Sequence, residues 1–598
     1  MFKKIYVLIF LLLIIVCVGT VHSEDIMNID EIKPGMKGIA KTVFKGEMVE
    51  EFPVEIINII KDKGLQRHLI LIRAGGEKID KIGGIAAGMS GSPVYINNKL
   101  IGAIGYGWAN ADSHYVLVTP IEEMLELFSK VPGTIEYTNE LPVLQTPLMV
   151  SGLSGRAFTC LKEDLQSLNF KVLPGNGLKD YNKNDTLEPG SAVAVQLARG
   201  DINVASIGTV TYVEDNQLLA FGHSFTNKGE VDYLLSKAYI NAIIPSKQMP
   251  FKLGAPYNNL IGSIKNDRGT GIAGKLNCYP EIIPLNIRVY DKERDIEKHI
   301  MVQIVNDELF FTSLGSNIVL QAIDETLDRI GDGTAEVKIK VMGNGLPDLE
   351  IERNNMYYSK SDIAGMSLAD FYQILNIIFT NSFKEINVIE IVVDVQISSE
   401  DRVALVQEAE VLNEEIYPGD KVNIKVTLHP YRQESFTKLI SLQLPSDIEP
   451  GRTSMIIEGG TIQSYSQVLT EEHQQGDYEI NQAQIEGYKN FSEMINDFIN
   501  KPQNNDLIAQ IYRGYTQPVM ESVNDEKENN ENTDQDEDKE PEIKTIEKTK
   551  YVLEGSLNLD INIKQPENTE NKSNNNNDNN NKKCEDIIEK IKDEDKLK

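Results

Sequence analysis

The stretch Gly88-Met89-Ser90-Gly91-Ser92-Pro93 constrains this chain more than any other. Glycines on both sides of Ser90 allow a tight turn and close approach by another backbone. Pro93 then opens a strand, and Val94-Tyr95-Ile96, Asn97-Asn98 and Leu100-Ile101-Gly102-Ala103-Ile104 read as strand, turn and strand. Asparagine tolerates the positive φ angles that such a tight hairpin requires. A serine held this way has its oxygen on a turn, with N–H groups nearby to hold a developing oxyanion. Those of Gly88 and Ser90 are the candidates. A Gly/Ser-rich turn without chemistry fits the same pattern.

Strand signals surround this motif. Val54 to Ile60 and Leu69 to Ile72 are short apolar runs with β-branched residues. Thr119-Pro120-Ile121-Glu122 reads as a capping box with proline at the first helical position, opening a short helix through Met124, Leu125, Leu127 and Phe128. Further strands are expected at 192–197, 205–212, 218–221, 282–289 and 300–305. Helices are expected around 161–168, from about Asn317 to Ile330 with Gly331 as stop, and at 371–379. Another strand is expected at 388–397, and the pattern from Tyr417 to Ile457 is sandwich-like.

The chain has 598 residues. A single core stops growing near roughly 250–300 residues, so several domains are required. The expected order is a signal peptide or membrane anchor at 1–23, a Ser-bearing β-barrel half at 24–130, a connector with one helix at 131–187 and a His-bearing half at 188–334. An α+β and sandwich-like region at 335–510 comes next, then an acidic disordered linker at 511–550, a docking strand at 551–564 and an Asn-rich low-complexity tail at 565–598. The N-terminus carries Lys3-Lys4, the apolar run Ile5 to Val18, and Val21-His22-Ser23 before Glu24. That pattern implies export, with the chain outside the cytoplasm or anchored on the outer face of its membrane. The net charge of −31 argues against nucleic acid as a partner. No metal-ligand spacing or phosphate loop appears, so no cofactor is expected, and the scattered Cys160, Cys278 and Cys584 make no disulfide framework.

Three segments together resemble the SpoIVB family of serine peptidases. Gly83-Gly84-Ile85-Ala86-Ala87-Gly88-Met89-Ser90-Gly91-Ser92-Pro93-Val94, with Leu100 to Ala103, is similar to the family's nucleophile segment. Leu219-Ala220-Phe221-Gly222-His223 resembles the stretch bearing its histidine. Ile261 to Ile264 and Gly271-Ile272-Ala273-Gly274-Lys275-Leu276-Asn277 resemble the family's next segment, beyond that histidine. The resemblance covers roughly 30–130 and 188–290. It implies a mainly β fold, a trypsin-like double β-barrel whose two halves come in exchanged order, because here Ser90 precedes His223. It also implies a protein or peptide substrate, with autocleavage or cleavage of an envelope protein as the class of reaction.

In that reading Ser90 is the nucleophile and His223 the base, since a hydroxyl attacks weakly until imidazole takes its proton. A structural histidine capping a turn is the alternative, and His114 in its polar loop is a weaker candidate base. The orienting acid is open. The family carries an aspartate upstream of the glycine pair, where this chain has Gly75-Gly76, with Glu77 and Asp80 close by. Asp232 and Asp267 are the other candidates. Without that acid, a catalytically inactive peptidase-like scaffold that binds envelope or surface partners is the rival reading.

Overall fold

The structure is a computed structural model that describes residues 24–62, 67–108, 110–129, 147–168, 170–180, 187–246, 249–461, 487–511 and 543–565. The expected signal segment 1–23, most of the acidic linker, the Asn-rich tail and Cys584 lie outside the described residues. The chain divides into two compact units, one within 1–285 and 301–318, the other within 286–300 and 319–598. The chain is mainly β.

The first unit holds two closed six-stranded barrels. The first is built from β1 (Lys37–Val43), β2 (Val49–Asp62), β3 (Arg67–Ala74), β4 (Pro93–Ile96), β5 (Lys99–Tyr106) and β6 (Tyr115–Pro120). Their order is β1-β2-β3-β6-β5-β4, and β4 closes on β1 through Ile39↔Tyr95 and Ala40↔Val94. Alternate residues point inward, so Val54, Ile56, Ile70, Ile72, Val116 and Val118 share one core, with Ile85 and Met89 of the serine segment added to it. Asn97 and Asn98 join β4 to β5 with φ of 51° and 60°, the left-handed pair that a two-residue hairpin needs.

Two short pieces, β7 (Leu148–Ser151) and β8 (Val172–Pro174), flank the helix Gly155–Ser167. The second barrel is built from β9 (Ala192–Gly200), β10 (Asn203–Glu214), β11 (Gln217–Ala220), β12 (Gly229–Ile244), β13 (Phe251–Arg268) and β14 (Gly271–Leu276). These pair in the ring β9-β12-β13-β14-β11-β10, and β10 returns to β9 from Thr209↔Ala192 to Val204↔Ala198. The Ser-bearing barrel therefore precedes the His-bearing one in the chain.

Two local expectations are corrected. Thr119 and Pro120 form no capping box: both stay in β6, paired with Ala103 and Gly102, and the helix begins at Ile121 without a side-chain cap. The predicted helix from Asn317 begins earlier, at Glu308, and ends at Leu327. Its first two turns contain the buried Phe310, Phe311 and Leu314.

In the second unit, Gly333–Asn344 lies between Glu350–Ser359 and Asn387–Ser398 in antiparallel register. Two four-stranded sheets then pack face to face. One holds Val403–Val411, Lys421–Pro430 and Phe436–Gln443, with Val552–Glu554 added in parallel. The other holds Gly451–Gly459 between Asp506–Ile511 and Ser556–Ile563, with Ile543–Lys548 beyond. Val422, Ile424 and Val426 meet Met455, Ile457 and Ile561 in their shared core.

Candidate active site

Ser90 lies on a turn that the second barrel grips. Gly88 and Gly91 adopt φ of 89° and 92°, and the Ser92 N–H donates to the Met89 carbonyl at 3.0 Å. A Cβ on Gly91 would stand 1.9 Å from the Thr209 carbonyl oxygen and 2.5 Å from the Phe221 nitrogen, so only glycine lets β10 and the end of β11 come this close. Thr209 N–H donates to the Ser90 carbonyl at 2.8 Å, the Thr209 hydroxyl to the Gly88 carbonyl at 3.1 Å, and the Thr211 hydroxyl to the Gly91 carbonyl at 2.9 Å. From β13, Lys252 N–H donates to the Ala87 carbonyl at 2.9 Å, and Ala87 N–H returns to Pro250 at 2.8 Å.

Ser90 is fully buried, and its hydroxyl has no hydrogen-bond partner among the described residues. Neither the Gly88 nor the Ser90 N–H donates to an acceptor among the described residues. A buried hydroxyl and two buried N–H groups left unpaired together are costly for a turn with a purely structural role.

His223 sits just past a sharp bend at the end of β11. Phe221 and Gly222 have φ of 70° and 66°, and the left-handed region is strained for a residue as large as phenylalanine. The first barrel holds this bend: the Thr119 hydroxyl donates to the Gly222 carbonyl at 2.6 Å, and a Cβ on Gly105 would stand 2.2 Å from the same oxygen. The His223 ring, almost wholly buried, lies between Tyr106 and Phe221, at centroid distances of 6.2 and 5.9 Å. Its Nδ1 is 2.6 Å from the Ser224 carbonyl. A carbonyl only accepts, so Nδ1 is the donor in this contact. The serine turn and the histidine bend are thus packed on one another, while the Ser90 hydroxyl is not hydrogen-bonded to the His223 ring.

The candidate acids separate. Asp80 lies 3.4 Å from His114 Nε2, whose Nδ1 is 2.6 Å from Asp112, so Asp80 and His114 belong to one exposed cluster. Contact with His114 holds the Asp112 carboxyl below its ordinary range. Asp232 is bonded to Lys265 at 2.5 Å and accepts from the Glu281 N–H at 3.2 Å. Asp267 alone reaches the histidine loop. Fully buried on β13, it accepts from Phe225 N–H at 2.7 Å, Thr226 N–H at 2.5 Å, the Thr226 hydroxyl at 2.6 Å and Asn227 N–H at 3.0 Å. Burial pushes its pKa up, against those four bonds. It shapes the loop whose first carbonyl, Ser224, orients the imidazole.

Sequence reasoning passed over Lys252. This β13 residue is buried, and its Nζ donates to the Thr42 hydroxyl at 2.8 Å and the Thr209 hydroxyl at 3.3 Å. Burial alone brings its pKa down to about 7. A lysine within a long strand carries no motif that could have marked it.

Among the described residues no group of three or more His, Cys, Asp or Glu side chains is placed to hold a metal ion. No curated protein and no solved structure matches the chain. Residues 20–125 match the SpoIVB peptidase S55 family, a span that takes in the whole first barrel and the Ser90 turn and stops short of His223. Over that Ser90-bearing segment the chain is similar to the SpoIVB-type serine peptidases.

Proposed function

We propose that the chain is an exported serine endopeptidase that cleaves itself or an envelope protein, with Ser90 as nucleophile and His223 as base. The observation that carries the reading is the unpartnered Ser90 hydroxyl on a glycine-flanked turn, packed directly against the bend that bears His223. In the reaction the Ser90 oxygen attacks the scissile carbonyl while Nε2 of His223 takes its proton. The N–H groups of Gly88 and Ser90 hold the oxyanion. The imidazolium then protonates the leaving amine, and water, deprotonated by the same ring, releases the acyl group and restores Ser90. Export rests on the basic and apolar N-terminal segment, and membrane association through that segment belongs to the same reading.

Two observations favour a second reading, a peptidase-like scaffold without activity. Ser90 is fully buried, and His223 Nδ1 faces a carbonyl rather than a carboxylate. A fluorophosphonate probe separates the two. The peptidase labels covalently and Ser90→Ala abolishes the label, whereas a folded chain that never labels is the scaffold.

A further inference from the structure

The turn that bears Ser90 is held from behind by one lysine used twice. The backbone N–H of Lys252 fixes the Ala87 carbonyl at 2.9 Å. In a planar trans peptide the carbonyl and the N–H of the next residue point in opposite directions, so this bond turns the Gly88 N–H away from β13. The side chain acts on the next peptide. Its amine donates to the Thr209 hydroxyl, and that hydroxyl donates to the Gly88 carbonyl. Thr209 also fixes the Ser90 carbonyl through its N–H. The lysine stem covers Gly88 directly, for a Cβ there would stand 3.1 Å from Lys252 Cβ and 3.3 Å from its Cδ.

The surroundings suit an unprotonated amine. Thr42 of β1 and Thr209 of β10 present two hydroxyl oxygens, Gly88 presents backbone, and the cross-strand partner on β12 is Ile243. None of these elements brings a charge to the amine, whose titration is displaced by burial alone. A neutral amine satisfies its two N–H bonds on the two threonines, whereas a third proton would add a charge with no counter-ion. An apolar side chain of the same length would fill the site at less cost to folding, so the retained amine points to a task.

We propose that Lys252 is a positioning residue for the chemistry at Ser90: with Thr209 it holds the peptides on either side of Gly88, and so keeps the Gly88 N–H in the orientation that offers it to the oxyanion. This rests on the peptidase reading. Lys252→Met keeps the backbone bond and the volume and removes only the amine.

The test is the rate of fluorophosphonate labelling of the full chain between pH 5.5 and 9, with thermal melting to verify folding. Lys252→Met is expected to melt no lower than the wild type at pH 6 and to label about ten-fold more slowly at pH 8, a fraction of what loss of a whole oxyanion donor costs. The acid limb of the wild-type profile is expected to be steeper than that of Lys252→Met, which lacks the titrating amine. Thr209→Val is expected to reproduce the defect, and the double variant to be no slower than either single one, because both act through one hydrogen-bond chain. Wild-type labelling with an unchanged rate and profile in Lys252→Met overturns this inference alone. A wild type that never labels overturns the peptidase reading, and this inference falls with it.

Discussion

At the scale of single residues, two buried ionisable groups do opposite work, one at each of the two loops of the candidate site. Asp267 gathers four donors and shapes the turn after His223. Asp267→Asn keeps one acceptor oxygen and sets an NH2 group against those donors. It is expected to lose about 2–3 kcal/mol of stability, read as a lower urea midpoint, and to slow labelling of Ser90 because the Ser224 carbonyl no longer holds the imidazole. Lys252 is a cost to the fold rather than a support. Its pKa falls from an ordinary 10.5 to about 7, so between those values the unfolded chain binds more protons than the folded one. Stability therefore rises with pH across that window, and the penalty is complete below 7. The slope approaches about 1.4 kcal/mol per pH unit within the window. Melting curves from pH 6 to 10 are expected to show this rise in the wild type and to lack it in Lys252→Met. The Ser90 turn and the His223 bend stand out in the sequence because glycines flank them, whereas Lys252, Thr209 and Thr119 make contacts dozens to hundreds of residues away and leave no local pattern.

At the scale of elements, the decisive contact is that of the serine turn with β10 and the end of β11. It depends on an absent side chain, since a Cβ on Gly91 would overlap the Thr209 carbonyl at 1.9 Å. Gly91→Ala also places alanine at φ 92°. Strain and displacement together are expected to cost about 3–5 kcal/mol, measured by urea unfolding, with Ser90 labelling lost. The strands themselves were readable. Short apolar runs with β-branched residues mark β2 and β3, and Asn97-Asn98 marks the hairpin. The misreadings have physical causes. Thr119-Pro120-Ile121-Glu122 has the composition of a helix start, but β5 claims Thr119 and Pro120 as strand partners. The helix from Glu308 begins with Phe310, Phe311 and Leu314, all buried, so its first turns show no polar face from which periodicity could be read.

At the scale of the whole molecule, each unit draws on distant chain. In the sandwich, Val552–Glu554 and Ser556–Ile563 pair with strands that begin at Val403 and Gly451. Ending the chain before Ile543 removes Ile543, Leu553, Ile561 and Ile563 from that core. Hydrogen exchange read by mass spectrometry is expected to show protection lost across 403–459 and kept in β1 to β6. The double-barrel plan was legible from the three segments that resemble the family, and the sheet arrangement beyond residue 335 much less so, because no motif there ties one strand to its neighbour.

The exchange of barrels has a consequence for the growing polypeptide. A ribosome that has completed β6 has already made Ser90, yet Thr209, His223, Lys252 and Asp267 are still untranslated. Until His223 emerges, the nascent chain owns a hydroxyl without its proposed base, and until β13 emerges that hydroxyl lacks the strand that holds its turn from behind. On the proposed peptidase reading, birth order alone thus withholds hydrolytic power from a half-made molecule.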